Sequence, residues 1–106
     1  MSPNIPEKLL NQYHQSLRGK IVQLKELVQA VERGRDQTSL IALRAFIHKM
    51  GGSAGTYGYP EVSALCKEWD KLLIETIQKG LEGDLSWLKQ LPHDIQKGFH
   101  LEEKDE

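Results

Sequence analysis

Histidines are the residues of this chain best suited to nucleophilic or acid–base chemistry. The sequence holds four of them, His14, His48, His93 and His100, together with a single cysteine, Cys66. A neutral imidazole can attack an electrophile, exchange a proton or bind a metal ion. A helical metal site needs two or more ligands three or four residues apart, and no two of these histidines have that spacing. A single nucleophilic histidine is therefore the chemistry to consider, and no metal site is expected.

His48 differs from the other histidines because glycines follow it closely. Gly51, Gly52 and Gly55 lie within the same helical pattern, and each costs about 1 kcal/mol of helix stability relative to alanine. On a helical wheel, His48 lies about 130° from the middle of the apolar arc, so its imidazole is expected to face solvent. Small residues beside an exposed histidine favour close approach by another protein. The docking surface that we expect on this outer face consists of Ile41, Arg44, Gly51, Gly52 and Gly55.

Four amphipathic helical segments must position this histidine. Turn-forming residues interrupt the chain at residues 34–36, 58–60 and 80–84, and each segment between them has a helical period. Short connections between four amphipathic helices predict an all-α fold, an antiparallel four-helix bundle. Gly19 lies inside the first segment, so that segment is expected either to bend there or to be broken into two helices.

The apolar seams and helix ends follow from the same pattern. Thr38 or Ser39 is expected to cap the second helix, and Asp84 the fourth, in which Pro92 should introduce a kink or limit the length. The seam of the first helix is expected to contain Leu10, His14, Leu17, Ile21, Leu24, Val28 and Val31.

Composition limits the class of protein. The 106 residues suit one domain, over residues 1–106, with a charged and disordered tail from about residue 101. The net charge of -1 argues against nucleic-acid binding. One cysteine excludes an internal disulfide. No signal peptide is visible, and no apolar stretch approaches the roughly 20 residues that span a bilayer, so a cytoplasmic protein without membrane contact is expected.

One stretch of the sequence resembles a known family. Residues 43–59 read Leu-Arg-Ala-Phe-Ile-His-Lys-Met-Gly-Gly-Ser-Ala-Gly-Thr-Tyr-Gly-Tyr. This resembles the signature of histidine-containing phosphotransfer (Hpt) domains: a histidine, an apolar residue two positions later, usually Lys-Gly, small residues, then glycine and an apolar residue. The end of the stretch is similar to the Gly-Thr-Phe-Gly-Phe of the phosphotransfer domain in chemotaxis histidine kinases. The chain departs from the pattern at Gly51, where the family usually has lysine.

The resemblance implies a phosphorelay intermediate, a phosphoryl carrier rather than a stand-alone catalyst. His48 would accept a phosphoryl group on Nε2 from a receiver-domain aspartyl phosphate or a histidine kinase, and pass it to another receiver domain. Asp70, or in its place Glu68, would accept a hydrogen bond from Nδ1. Lys49, Arg44 or Lys67 would stabilise the phosphoryl group. The chain would need no cofactor of its own, since the partner receiver domain would hold Mg²⁺.

Two questions stay open at the level of sequence. A helical adaptor or inhibitor of the same fold, which binds a receiver or kinase without being phosphorylated, is the alternative function, and Gly51 in place of lysine favours it. The chain is expected to act as a monomer, and to stand alone rather than to be a fragment of a larger kinase.

Overall fold

A computed structural model describes residues 5–101 of the chain. Within that range there are four α-helices and no strand: α1 (Glu7–Gly34), α2 (Gln37–Thr56), α3 (Pro60–Lys79) and α4 (Gln90–Gly98). A 3₁₀ turn over Ser86–Lys89 leads into α4. The connections fall at the three predicted interruptions, and the predicted all-α four-helix bundle is confirmed.

The first helix runs without a break, so the predicted division into two helices near Gly19 is wrong, whereas the alternative of a bend there stays a prediction. A Cβ atom at Gly19 would meet nothing within 4 Å, because this residue faces solvent. The predicted seam also needs correction at its N-terminal end. Leu10 is 38% exposed and His14 is exposed, whereas Tyr13 is buried in their place.

The turn between α1 and α2 has a different cap from the one predicted. The side chain of Asp36, rather than Thr38 or Ser39, caps α2 and accepts a hydrogen bond of 2.8 Å from the backbone N–H of Ser39. This bond lowers the pKa of the Asp36 carboxyl. Arg35 adopts the left-handed conformation, with φ of 47°, and its Nη2 donates to the carbonyl oxygens of Leu81 and Gly83. The α1–α2 turn is thereby tied to the loop after α3.

The last part of the described chain is short and closely packed. Pro92 is the third residue of α4, where its missing N–H costs no helical hydrogen bond, and the helix has only nine residues. The predicted cap at Asp84 is wrong for α4, because Asp84 accepts from the N–H of Ser86, the first residue of the 3₁₀ turn. Leu101 packs against the core, so it is not part of a frayed tail. The remainder of the predicted tail, residues 102–106, lies outside the described residues.

A single apolar core lies between the helices and fixes how α2 faces its neighbours. Leu40, Leu43 and Ile47 of α2 are fully buried in it, together with Leu73 of α3 and Phe99, which directly follows α4. These α2 residues recur every three or four positions, so they turn one side of the helix inward and the opposite side outward. His48 follows Ile47 and lies on the outward side.

Candidate functional site

His48 lies near the middle of α2, and about two-thirds of its side chain, 67%, is exposed to solvent. The exposed imidazole agrees with the prediction from the helical wheel. Because eight helical residues follow His48 in α2, the histidine sits on a rigid element rather than in a frayed last turn. The helix fixes the direction in which the side chain of His48 leaves the backbone.

A carboxylate on α3 contacts one nitrogen of this imidazole. The Oδ2 atom of Asp70 lies 3.3 Å from Nδ1 of His48, and the Asp70 side chain is only 16% exposed. An ionised carboxylate can only accept a hydrogen bond, so Nδ1 carries the proton in this pair. The lone pair of the imidazole then lies on Nε2, the nitrogen that Asp70 leaves free.

Arg44, one helical turn before His48, holds the same carboxylate with two hydrogen bonds. Its Nε donates to Oδ1 of Asp70 at 2.7 Å, and its Nη2 donates to Oδ2 at 3.3 Å. A two-point contact between guanidinium and carboxylate fixes the plane of the carboxylate as well as its position. Arg44 therefore orients the oxygen that faces Nδ1 of His48.

A groove of about 280 Å³ opens beside His48 between α2 and α3. Its walls combine residues from both helices: Ile47, His48, Gly51 and Gly52 from α2, and Ser63, Cys66, Lys67 and Asp70 from α3. Sequence reasoning missed the contribution of Ser63. The spacing of Ser63, Lys67 and Asp70 places them on one face of α3, so helical periodicity applied to the polar residues could have found it.

The predicted exposure of Gly51 is wrong, because this glycine is buried against α3. A Cβ atom at position 51 would lie 2.9 Å from the Cβ of Cys66, which is closer than two such atoms can approach. Gly51 therefore allows α2 and α3 to pack closely, and it contributes little free surface for docking. Cys66 is itself buried, and burial together with the neighbouring Asp70 carboxylate raises the pKa of its thiol to about 12.

The other residues of the predicted docking surface have different environments. Gly52 is exposed, and a Cβ atom there would meet nothing within 4 Å. Gly55 is also exposed, but a Cβ atom would lie 3.1 Å from Oγ of Ser63. Ile41 is 51% exposed. The open surface is thus formed by Ile41 and Gly52, with Gly55 at its edge, and its docking role stays a prediction.

The three candidate cations, Arg44, Lys67 and Lys49, also lie in different environments. Arg44 is half-buried and bonded to Asp70. Lys67 is exposed and lines the groove beside His48. Lys49 is exposed and does not line it, since it lies about 100° around α2 from His48.

The remaining histidines lie elsewhere. Nδ1 of His14 is 2.9 Å from the hydroxyl of Tyr59, and His93 and His100 belong to α4 and the turn that follows it. Among residues 5–101, no three histidine, cysteine or acidic side chains lie close enough together to hold a metal ion. That the chain has no metal site stays a prediction.

Comparison with known proteins gives one match. The family model of the Hpt domain matches residues 8–97, which is most of the chain. No curated protein and no solved structure matches the chain significantly. Over residues 5–101, none of the helices is both long and apolar enough to cross a membrane.

Proposed function

Because the chain belongs to the Hpt domain family, we propose that it is a phosphorelay intermediate that carries a phosphoryl group on Nε2 of His48. Membership of this family indicates a histidine phosphotransfer role in two-component signalling. The finer proposal is that His48 accepts the group from a receiver-domain aspartyl phosphate or from a histidine kinase. It then passes the group to the aspartate of another receiver domain.

The contact between Asp70 and His48 is the observation that carries this proposal. With Nδ1 protonated and directed at the carboxylate, the lone pair of Nε2 faces solvent, where a phosphoryl donor can reach it. In the transfer step the Nε2–P bond forms and the P–O bond of the aspartyl phosphate breaks, which releases the donor carboxylate. The imidazole becomes positively charged as it is phosphorylated, and the adjacent Asp70 carboxylate stabilises that charge.

The small number of functional groups in the site also suits this chemistry. Phosphoryl transfer has a loose transition state, so catalysis consists mostly of positioning and charge neutralisation. A partner receiver domain would supply Mg²⁺, and this chain would supply the nucleophile and a docking surface. We propose that receiver domains and a histidine kinase dock on the open surface around Ile41, Gly52 and Gly55. The contact should be modest in area, because relay contacts are transient, and a monomer suffices for it.

Phosphate transfer from a labelled receiver domain tests the proposal. The purified protein and a His48→Gln variant are each incubated with a receiver domain that carries labelled aspartyl phosphate. His14→Gln is the matched control, because it removes an exposed histidine that does not line the groove. We expect acid-labile, base-stable label on the wild type and on His14→Gln, and none on His48→Gln.

Two results would contradict the proposal. Label that persists in His48→Gln would assign the reaction to another residue. The absence of label from several receiver domains, with the helical fold intact, would favour the adaptor or inhibitor that binds without being phosphorylated.

A further inference from the structure

We propose that Lys67 of α3 is the cation that contacts the phosphoryl group on His48, and that Arg44 acts on the histidine only through Asp70. This inference deepens the proposed function and rests on it. The resembling sequences usually place the cation on the histidine helix itself, three residues after the histidine. In this chain the cation would instead come from the opposite wall of the groove.

Position 51 cannot supply the cation while the two helices are packed as they are. Any side chain at this position begins with a Cβ atom 2.9 Å from the Cβ of Cys66. Neither atom is the end of a flexible chain, so α2 and α3 would have to move apart. The close packing at Gly51 therefore excludes a lysine from the position that the family pattern predicts.

Arg44 is engaged elsewhere. Both oxygens of the Asp70 carboxylate accept hydrogen bonds from its guanidinium, and its side chain is only 33% exposed. If Arg44 turned toward a phosphoryl group, the largely buried Asp70 carboxylate would lose its positive partner, at considerable cost. Arg44 is thus a positioning residue that balances the charge of Asp70 and limits its repulsion of an incoming phosphoryl group.

Lys67 has the position and the freedom that the other cations lack. It lines the same groove as His48, one helical turn from Ser63 and three residues before Asp70. In the part of the chain that the structure describes, its ammonium has no hydrogen bond or ion pair to break. The lysine side chain is long and flexible and ends in a point charge, so it can adjust its position to contact a phosphoryl group in solvent. A phosphoryl group carries about −1.5 to −2 charges near neutral pH, so one nearby ammonium stabilises it.

The direct test measures the ionisation of the phosphoryl group. The wild type and the variants Lys67→Gln, Lys67→Arg and Lys49→Gln are phosphorylated chemically with phosphoramidate, which needs no partner protein. The ³¹P signal that is missing in His48→Gln is then followed as the pH is changed. We expect Lys67→Gln to raise the second pKa of the phosphoryl group, because a nearby cation favours the dianion. Lys49→Gln should leave it unchanged, and Lys67→Arg should largely restore it.

Transfer kinetics provide the second measurement. With a labelled receiver domain, Lys67→Gln should slow phosphorylation of His48 on the order of tenfold, as expected for the loss of one hydrogen bond to a charged group. Lys49→Gln should transfer at the wild-type rate. Identical ³¹P titrations in the wild type and Lys67→Gln would overturn the assignment of Lys67. Failure of the proposed function would give a different result. In that case phosphoramidate would phosphorylate the wild type, but no receiver domain would transfer label to it.

Discussion

Gly51 and Gly52 are neighbours in α2, yet the space beside them differs. Gly51 faces α3, where an added Cβ atom would meet the Cβ of Cys66 at 2.9 Å. Gly52 faces the open side beside His48, and an added Cβ atom would meet nothing within 4 Å. The same residue type therefore allows close helix packing on one side of α2, and on the other it leaves space beside the histidine. Substitutions at these two positions should consequently affect different properties of the protein.

A large side chain on the open side should have the greatest effect. Gly52→Trp should block phosphoryl transfer from a receiver domain while the helical circular dichroism stays unchanged, since the indole would fill the approach to His48. Gly19→Trp is the matched control, because Gly19 is also an exposed glycine in a helix with nothing nearby. Normal transfer in Gly52→Trp would remove the steric argument for the open side.

A small side chain on the packed side should reduce stability. We expect Gly51→Ala to lower the free energy of unfolding by about 1–3 kcal/mol, because the added methyl group overpacks the contact between α2 and α3. Urea denaturation measures this change. Adding Cys66→Gly to the same chain removes the atom that the methyl group meets, so in this background Gly51→Ala should cost much less. Equal costs in both backgrounds would show that Cys66 is not the source of the constraint.

The buried thiol of Cys66, which packs against Gly51, should make the free energy of unfolding depend on pH. Its pKa is raised from an ordinary 9.0 to about 12, mainly by burial. The unfolded chain loses the thiol proton near pH 9, whereas the folded chain keeps it until about pH 12. The contribution of this group to the free energy of unfolding therefore falls as the pH rises through that interval. The difference in unfolding free energy between the wild type and Cys66→Ala should shrink from pH 9 to pH 12, and a constant difference would contradict the burial of the thiol.

Alanine on the open side should have the smallest effect, and it should stabilise. Gly52→Ala is expected to raise the free energy of unfolding by about 0.5–1 kcal/mol, because alanine is the better helix former and meets no neighbour. Gly19→Ala should behave alike in α1. Thermal unfolding measures both changes, and a destabilised Gly52→Ala variant would mean that the two sides of α2 do not differ as described.

The fold could be predicted from sequence because helical period and turn residues are local signals. The predicted interruptions at residues 34–36, 58–60 and 80–84 match the connections between the helices. The errors arise where the signal is not local. Tyr13 has a polar hydroxyl, which bonds to Ser53 Oγ at 3.0 Å in the structure, and nothing in the sequence shows that this partner lies nearby.

Only those features of the candidate site that depend on local signals could be predicted from sequence. The exposure of the His48 side chain follows from the spacing of the apolar residues around it in α2. The burial of Gly51 does not, because glycine has no side chain to mark a helix contact as apolar, and the contact depends on Cys66 of another helix. The placement of Asp70 beside Nδ1 was anticipated only through the family resemblance. The hydrogen bonds from Arg44 to Asp70 depend on the packing of α2 against α3, which the sequence alone does not specify.

The most direct test of the account is to find which atom carries the phosphoryl group. The protein is labelled with ¹⁵N-histidine, phosphorylated by a receiver domain that carries aspartyl phosphate, and studied by ³¹P and ¹⁵N NMR. The account predicts one phosphorus atom coupled to Nε2 of His48, with Nδ1 still protonated. A phosphoryl group on Nδ1 or on another histidine, or no phosphorylation at all, would contradict it.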